Sequence, residues 1–220
     1  MKQSTIVCLG DSITGQPNLR SYLKYSYILD CMVEARLGPG AARVVNRGIA
    51  GDTTAGALKR LRGDVLDLRP DIVTVLLGGN DGCQRLDPAD TRANLVEIVR
   101  AIKGAGAKVL LMQYHCVPNP EHPETAWTLL QANNALIAEV AEAEGVPCLD
   151  LARPFEEALA GETATELAGR DEATGAADWR EVPYTVEHLA SGADGVHLNP
   201  GGELVVARVL FAKLLSLGWL

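Results

Sequence analysis

The chain has 220 residues, of which 47% are hydrophobic and 22% are charged. This composition is ordinary for a folded globular protein and excludes a chain that is disordered throughout. The formal net charge of −8 argues against a nucleic-acid partner, because binding to phosphates needs clustered Lys and Arg.

The first part of the chain alternates short apolar runs with longer segments of helical period. Buried strands are predicted at 5–9, 43–46 and 71–77, because these runs are too short for helices. The last of them is almost continuously apolar, which is typical of a strand covered on both faces of a parallel sheet. Helices are predicted between the strands, at about 25–37 and 53–68, each followed by a proline-containing stop.

The same alternation continues towards the end of the chain. Further helices are predicted at about 88–103 and 125–144, and further strands at 108–113 and 146–151. A last helix begins at Asn199 and Pro200, an N-cap followed by proline in the first turn, and runs to about residue 217. Its predicted inner stripe consists of Leu204, Ala207, Phe211, Leu214 and Leu215. Alternation of strands and helices predicts an α/β fold with a parallel sheet, in a single domain over 1–220.

One segment, at about 155–193, breaks this alternation. It is rich in Ala, Gly, Glu and Thr and has few apolar anchors, among them Trp179 and Tyr184. Connections of this length are usually lids or binding loops, or else disordered. We expect a lid that these two aromatic residues dock onto the body of the domain.

The cysteines and the apolar runs bear on location. Five cysteines, with no C-x-x-C spacing, fit neither a disulfide framework nor a zinc site. The apolar run near the N-terminus is too short for a signal peptide, and no run reaches the roughly 20 apolar residues of a membrane span. These features favour a reducing, cytoplasmic location without a membrane span.

Polar clusters follow the first three predicted strands, at the edge where open parallel sheets bind ligands. They are 10–15 (GDSITG), 46–53 (NRGIAGDT) and 78–81 (GGND). A fourth cluster, 194–197 (DGVH), precedes the last helix. We expect all four to converge at one edge of the sheet.

The residues of these clusters suit nucleophilic acyl transfer. A serine hydroxyl is a weak nucleophile until a base takes its proton, so Ser12 is expected to attack and His197 to act as the base. Asp194, three residues earlier, would accept the Nδ1 proton and orient the imidazole. The backbone N–H groups of Ser12 and Gly51 and the side-chain amide of Asn80 would stabilise the oxyanion.

The remaining polar residues are given supporting roles. Asp11 and Asp81 are expected to brace the site through hydrogen bonds to the backbone rather than to act as acids. His115, His122 and His188 lack matching partners and are expected on the surface or in loops. Each cluster taken alone also has a structural interpretation, as an N-cap and turn, a strand-ending turn or a helix entry.

At these residues the sequence resembles the SGNH hydrolases, also called the GDSL lipase/esterase family. The resemblance rests on Gly10-Asp11-Ser12, followed by Ile13 where the family name has leucine, on 46–54, on 78–81 and on 194–199. It implies a three-layer α/β/α fold of flavodoxin type, with about five parallel strands in the order 2-1-3-4-5. It also implies hydrolysis of a small ester substrate through an acyl-serine, no metal, no organic cofactor and possible homo-oligomers.

Several alternatives stay open at this point. Within the same mechanism, the substrate could be an O-acetylated carbohydrate, a lysophospholipid or a thioester. A Rossmann-type enzyme is disfavoured, because Gly10 and Gly15 do not form the G-x-G-x-x-G motif. A conventional α/β-hydrolase is disfavoured as well, because Thr14 stands where its G-x-S-x-G motif needs the second glycine. A non-catalytic binding module on the same fold is the alternative from a different class.

Overall fold

A parallel sheet of five strands forms the centre of the computed structural model, which describes residues 3–15, 20–115, 126–160 and 196–220. The strands are β1 (Ser4–Gly10), β2 (Ala42–Gly48), β3 (Ile72–Leu76), β4 (Lys108–Met112) and β5 (Cys148–Leu149). Their order across the sheet is β2-β1-β3-β4-β5, and every neighbouring pair is parallel. The strand order expected from the resemblance is therefore confirmed.

Helices cover both faces of this sheet. Ile6, Val7, Cys8 and Leu9 of β1 are all fully buried. Because successive side chains of a strand point to opposite faces, neither face of β1 meets solvent. The described helices are α1 (Ser12–Gly15), α2 (Tyr25–Leu37), α3 (Thr54–Asp64), α4 (Gly79–Cys83), α5 (Pro88–Gly104), α6 (Ala126–Glu144), α7 (Ala152–Ala160) and α8 (Pro200–Ser216). Among them, α8 packs against α2 and α7, whereas α5 packs against α3 and α6.

The predicted elements differ from the observed ones mainly at their ends. The helix expected at 53–68 ends at Asp64, and a separate 3-10 turn, Leu66–Leu68, follows it. The strand expected at 146–151 shortens to Cys148–Leu149, which lies at the edge of the sheet. The short helices α1 and α4 were not expected, because four or five residues carry no measurable helical period.

The buried face of α8 also differs from the predicted stripe. Ala207 and Leu214 are buried as expected, but Leu204, Phe211 and Leu215 are partly exposed. The helix is apolar on most of its circumference, so its sequence does not define one inner face. Packing against α2 and α7 selects the buried set, which includes Val205, Val206 and Leu210.

The segment interpreted as an insert begins inside a helix. Residues 155–160 belong to α7, and Phe155 is fully buried there. Residues 161–193 lie outside the described residues. The single domain over 1–220 and the lid at about 155–193 therefore stay predictions.

A buried ion pair joins α8 to the chain around α1 and α2. The Lys24 ammonium pairs with the Glu203 carboxylate of α8 and also donates to the carbonyl of Ile13, at 2.8 Å. The other carboxylate oxygen of Glu203 accepts from the backbone N–H of Tyr25, at 2.7 Å. These bonds tie the last helix to the turn that carries Ser12.

The helices, the cysteines and the possible metal ligands of the described residues bear on the predicted location and on the metal. Across the described ranges, none of the helices is both long enough and apolar enough to span a bilayer. Within the same ranges, Cys8, Cys31, Cys83 and Cys148 are free thiols. There too, His, Cys, Asp and Glu form no group of three or more that could hold a metal ion.

Candidate active site

Ser12 stands at the start of a tight turn that follows β1. The carboxylate of Asp11 accepts from the backbone N–H of Ile13, at 2.9 Å, and the carbonyl of Asp11 accepts from Gly15, at 2.8 Å. These bonds shape the single turn of α1 and leave Ser12 partly exposed at its first position. A Cβ at Gly10 would lie 2.1 Å from Thr14 Oγ1, so the turn needs glycine there.

His197 meets Ser12 across 185 residues of sequence. Its Nε2 lies 3.0 Å from Ser12 Oγ, which is hydrogen-bonding distance. His197 lies just before α8, and the burial of the next residue, Leu198, anchors the loop where the helix begins. The structure therefore brings together the predicted nucleophile and the predicted base. Asp194, the predicted orienting residue, lies outside the described residues.

His115 lies in the loop after β4, which is one of its two predicted settings, but it is not on the surface. It is fully buried, and its ring packs against Phe155 with centroids 4.9 Å apart. Its Nε2 lies 2.7 Å from the carbonyl of Val196, the residue before His197. His115 thus helps to position the loop that carries the base. Its place directly after β4 could have revealed it, because the other polar clusters also follow strands. His122 and His188 lie outside the described residues.

Asn80 lies in α4, directly after β3. The turn into this helix passes through Gly78, whose φ of 112° favours glycine. The side-chain amide of Asn80 donates to the carbonyl of Asp52, at 2.9 Å, and lies 3.4 Å from Asp11 Oδ2. Gly51, with a φ of 76°, precedes Asp52 in the turn after β2. Gly51 and Asn80, the predicted oxyanion donors besides Ser12, therefore lie in two turns that the bond from Asn80 to Asp52 joins.

Asp81, next to Asn80 in α4, holds this turn against α3 and α5. It is buried and accepts from the backbone N–H of Thr54, at 3.0 Å, and from the Thr54 hydroxyl. The hydroxyl of Thr91 on α5 donates to the same carboxylate, at 3.3 Å. Asp81 thus links the α4 turn to the start of α3 and to α5, and its contacts are those of a supporting residue.

Asp11 has an unusual electrostatic environment. Burial raises its pKa from 3.8 to about 6, although hydrogen bonds from Tyr114 and from the Ile13 N–H act to lower it. The neighbouring His197 also acts to lower the pKa of Asp11, whereas the negative charge of Asp52 acts to raise it. A buried carboxyl that titrates near neutral pH, one residue from Ser12, is typical of a functional site.

The comparisons with known proteins agree with this geometry. Residues 8–203 match the GDSL-like Lipase/Acylhydrolase family. The chain belongs to this family. It is 36% identical to the esterase TesA of Pseudomonas aeruginosa over 117 residues, which are 52% of this chain and 56% of that protein. The chain thus spans about half the length of the curated relatives that it matches.

Solved structures extend the likeness over almost the whole chain. An acetylxylan esterase from Geobacillus stearothermophilus superposes with a TM-score of 0.72 at 21% identity, covering 96% of this chain and 94% of that one. A lipase/acylhydrolase from Enterococcus faecalis gives 0.70 at 26% identity, covering 96% and 95%. The first likeness concerns the fold alone.

A cavity of about 190 Å³ opens beside Ser12 in this GDSL-family site. Ser12, Asn80 and His197 form its polar side, and its apolar side is formed by Ile13, Cys83, Tyr114, Leu130 and Val196. A larger cleft of about 380 Å³ lies between α2 and β2, but neither Ser12 nor His197 lines it. We assign the site by its chemistry rather than by size, because only the smaller cavity joins a nucleophile to a base.

Proposed function

We propose that the protein hydrolyses carboxylic esters of short acyl groups through an acyl-serine intermediate. The observation that carries this proposal is the 3.0 Å distance between His197 Nε2 and Ser12 Oγ. A serine hydroxyl becomes a nucleophile when a base within hydrogen-bonding reach takes its proton. Membership of the GDSL-like lipase/acylhydrolase family supports the same chemistry.

In the proposed reaction, His197 Nε2 takes the proton of Ser12 while Oγ bonds to the acyl carbon. The bond from that carbon to the alcohol oxygen then breaks, and the imidazolium gives its proton to the leaving oxygen. A water molecule, deprotonated by His197, then attacks the acyl carbon of the acyl-serine. The bond from that carbon to Ser12 Oγ breaks, the imidazolium returns its proton to Oγ, and the carboxylic acid leaves. Asp194 would orient the imidazole and stabilise its positive charge.

The carbonyl oxygen carries a negative charge in both tetrahedral intermediates. We assign its stabilisation to the backbone N–H groups of Ser12 and Gly51 and to the Asn80 amide. The Asn80 amide has two hydrogens. One of them bonds to the carbonyl of Asp52, which holds the side chain in place. The other hydrogen faces Asp11 Oδ2 across 3.4 Å, a long contact that the oxyanion would replace. The two contacts hold the amide in place before substrate arrives, which lowers the reorganisation needed during the reaction.

The size of the cavity favours a short acyl group. Its volume of about 190 Å³ is below the roughly 300–1,000 Å³ of pockets that enclose drug-sized ligands. Its apolar side suits a hydrocarbon chain of a few carbons, such as acetyl or butyryl. O-acetylated carbohydrates carry the same acyl group and remain the alternative substrate class. The cytoplasmic location and the self-association expected from the sequence stay predictions.

Steady-state hydrolysis of p-nitrophenyl esters from acetate to octanoate tests this proposal. We expect kcat/KM to fall as the acyl chain lengthens, and Ser12→Ala to lower kcat by at least roughly 10³-fold. The matched control is Ser216→Ala, because Ser216 is an exposed serine on α8, remote in sequence from both Ser12 and His197. Undiminished turnover by Ser12→Ala would exclude the nucleophile.

A second panel addresses the alcohol part of the substrate. Acetylated xylo-oligosaccharides, a lysophospholipid and a long-chain acyl-CoA are compared with p-nitrophenyl acetate under the same conditions. Preference for an acetylated sugar would assign the carbohydrate class. Preference for the lysophospholipid or the acyl-CoA would overturn the short acyl group while leaving the role of Ser12 intact.

A further inference from the structure

Tyr114 lies directly after β4, at the same edge of the sheet as Ser12 and Asn80. Its side chain is 1% exposed and lines the apolar side of the cavity. Two bonds from Asn134 on α6 hold its backbone: Oδ1 accepts from the Tyr114 N–H at 2.6 Å, and Nδ2 donates to the Tyr114 carbonyl at 2.8 Å. The ring is therefore mounted on a rigid part of the fold.

The hydroxyl of Tyr114 is shared between two turns of the site. It donates to Asp11 Oδ2, at 2.6 Å, in the turn that carries Ser12. The backbone N–H of Gly79, next to Asn80, donates to the hydroxyl oxygen of Tyr114 and acts to lower the pKa of that hydroxyl. A Cβ at Gly79 would lie 2.8 Å from Cζ of the Tyr114 ring, so the α4 turn packs directly on it.

We propose that Tyr114 is a positioning residue whose hydroxyl, bonded to Asp11 and to Gly79, fixes the spacing between the Ser12 nucleophile and the Asn80 oxyanion amide. This role rests on the ester hydrolysis proposed above. It is separate from the packing of the ring, because phenylalanine would fill the same space without the two hydrogen bonds.

The hydroxyl also controls where the Asn80 amide points. Asp11 Oδ2 has a short bond from Tyr114, at 2.6 Å, and a long contact from the Asn80 amide, at 3.4 Å. A buried carboxylate that loses its short donor seeks another, because an unpaired buried charge is unfavourable. Without the hydroxyl, the Asn80 amide closes on Asp11 and turns a hydrogen away from the oxyanion. The substrate would still bind, but the tetrahedral intermediate would lose a donor.

The experiment is a kinetic comparison of Tyr114→Phe with wild type on p-nitrophenyl acetate. We expect kcat to fall by about 10-fold or more, less than the 10²- to 10³-fold typical of deleting an oxyanion donor, with KM within about threefold of wild type. The control is Tyr25→Phe. Tyr25 is equally buried, and its hydroxyl lies 2.9 Å from Thr14 Oγ1, also beside the Ser12 turn.

The pH profile gives a readout that a merely structural role would not change. The Tyr114 hydrogen bond lowers the pKa of Asp11, so its loss moves that pKa above about 6. The acid limb of the kcat/KM profile follows the ionisation of Asp11, whose carboxylate shapes the Ser12 turn by accepting from the Ile13 N–H. The limb therefore moves to higher pH in Tyr114→Phe. The titratable groups around Asp11 that bear on this profile are Asp52, Tyr25, Cys83, Tyr114 and His197.

The outcomes separate this role from the proposed function. Inactive wild type overturns ester hydrolysis and the role together. Active wild type with unchanged kcat and acid limb in Tyr114→Phe overturns the role alone. So does a Tyr114→Phe chain that is unfolded in the assay, because the hydroxyl is then structural. The double variant Tyr114→Phe/Asp11→Asn supports the role if its kcat is no lower than that of the less active single variant. It overturns the role if the losses of kcat in the two single variants multiply.

Discussion

The buried charge of Asp11 should make the stability of the protein depend on pH. The folded protein holds the Asp11 pKa at about 6, against 3.8 in an unfolded chain. Between these values the folded state binds the proton more tightly. The stabilising contribution of this group is therefore complete below about pH 4 and is lost as the pH rises through about 6. The difference between the two pKa values corresponds to about 3 kcal/mol in the free energy of unfolding.

Asp11→Asn removes this dependence, because asparagine is neutral at every pH of interest. We expect its free energy of unfolding, minus that of wild type, to increase by about 2.4 kcal/mol between pH 4 and pH 7, which is most of the 3 kcal/mol. For a chain of this size, 3 kcal/mol amounts to roughly 6–12 °C in the melting temperature. The variant should be more stable at neutral pH and less active, which is the trade-off seen where a site keeps an unfavourable charge.

Urea unfolding followed by far-UV circular dichroism at pH 4, 5, 6 and 7 measures this difference. Asp67→Asn is the control for the loss of one negative charge, because Asp67 is exposed and lies 3.9 Å from its nearest partner, Arg62. The reasoning fails if Asp11→Asn and wild type differ by the same free energy at pH 4 and pH 7. Such a result would mean that the carboxyl titrates in the folded protein as it does in the unfolded chain.

Two further predictions follow from the buried ion pair and from the α4 turn. Glu203→Ala leaves the buried Lys24 ammonium without its partner and should lower the free energy of unfolding in urea by about 3–5 kcal/mol. Glu157→Ala breaks an exposed pair and should lower it by less than about 1 kcal/mol. Equal losses in the two variants would contradict the burial argument. Gly79→Ala places a Cβ 2.8 Å from the Tyr114 ring and should lower kcat on p-nitrophenyl acetate, whereas Gly104→Ala has open space at its Cβ and should not. Full activity in Gly79→Ala would show that the turn can shift freely.

The strands were predictable because their signal is local. Runs such as 71–77 are almost continuously apolar, and a strand covered on both faces buries the side chains of 72–77. The ends of elements were less predictable. The shortening of β5 to Cys148–Leu149 depends on its edge position, which the run 146–151 does not encode by itself.

The pairing of Ser12 with His197 was predictable because Ser12 follows the first strand and His197 precedes the last helix, and both positions were expected at the same edge of the sheet. His115 and Tyr114 were not assigned to the site, although both directly follow β4. A single histidine or tyrosine in a sequence carries no sign of its partner. The partners, Val196 for His115 and Asp11 for Tyr114, lie 81 and 103 residues away in the chain.

The amino-acid sequence by itself determined the alternation of strands and helices, the parallel sheet and the types of residue that gather at its carboxyl edge, because these depend on local apolar patterns and on chain direction. Only the tertiary structure decided the face that α8 buries, the burial of Asp11 and the sharing of the Tyr114 hydroxyl between two turns. The pKa of a carboxyl and the direction of an amide depend on every group packed around them, and those groups come from distant parts of the chain.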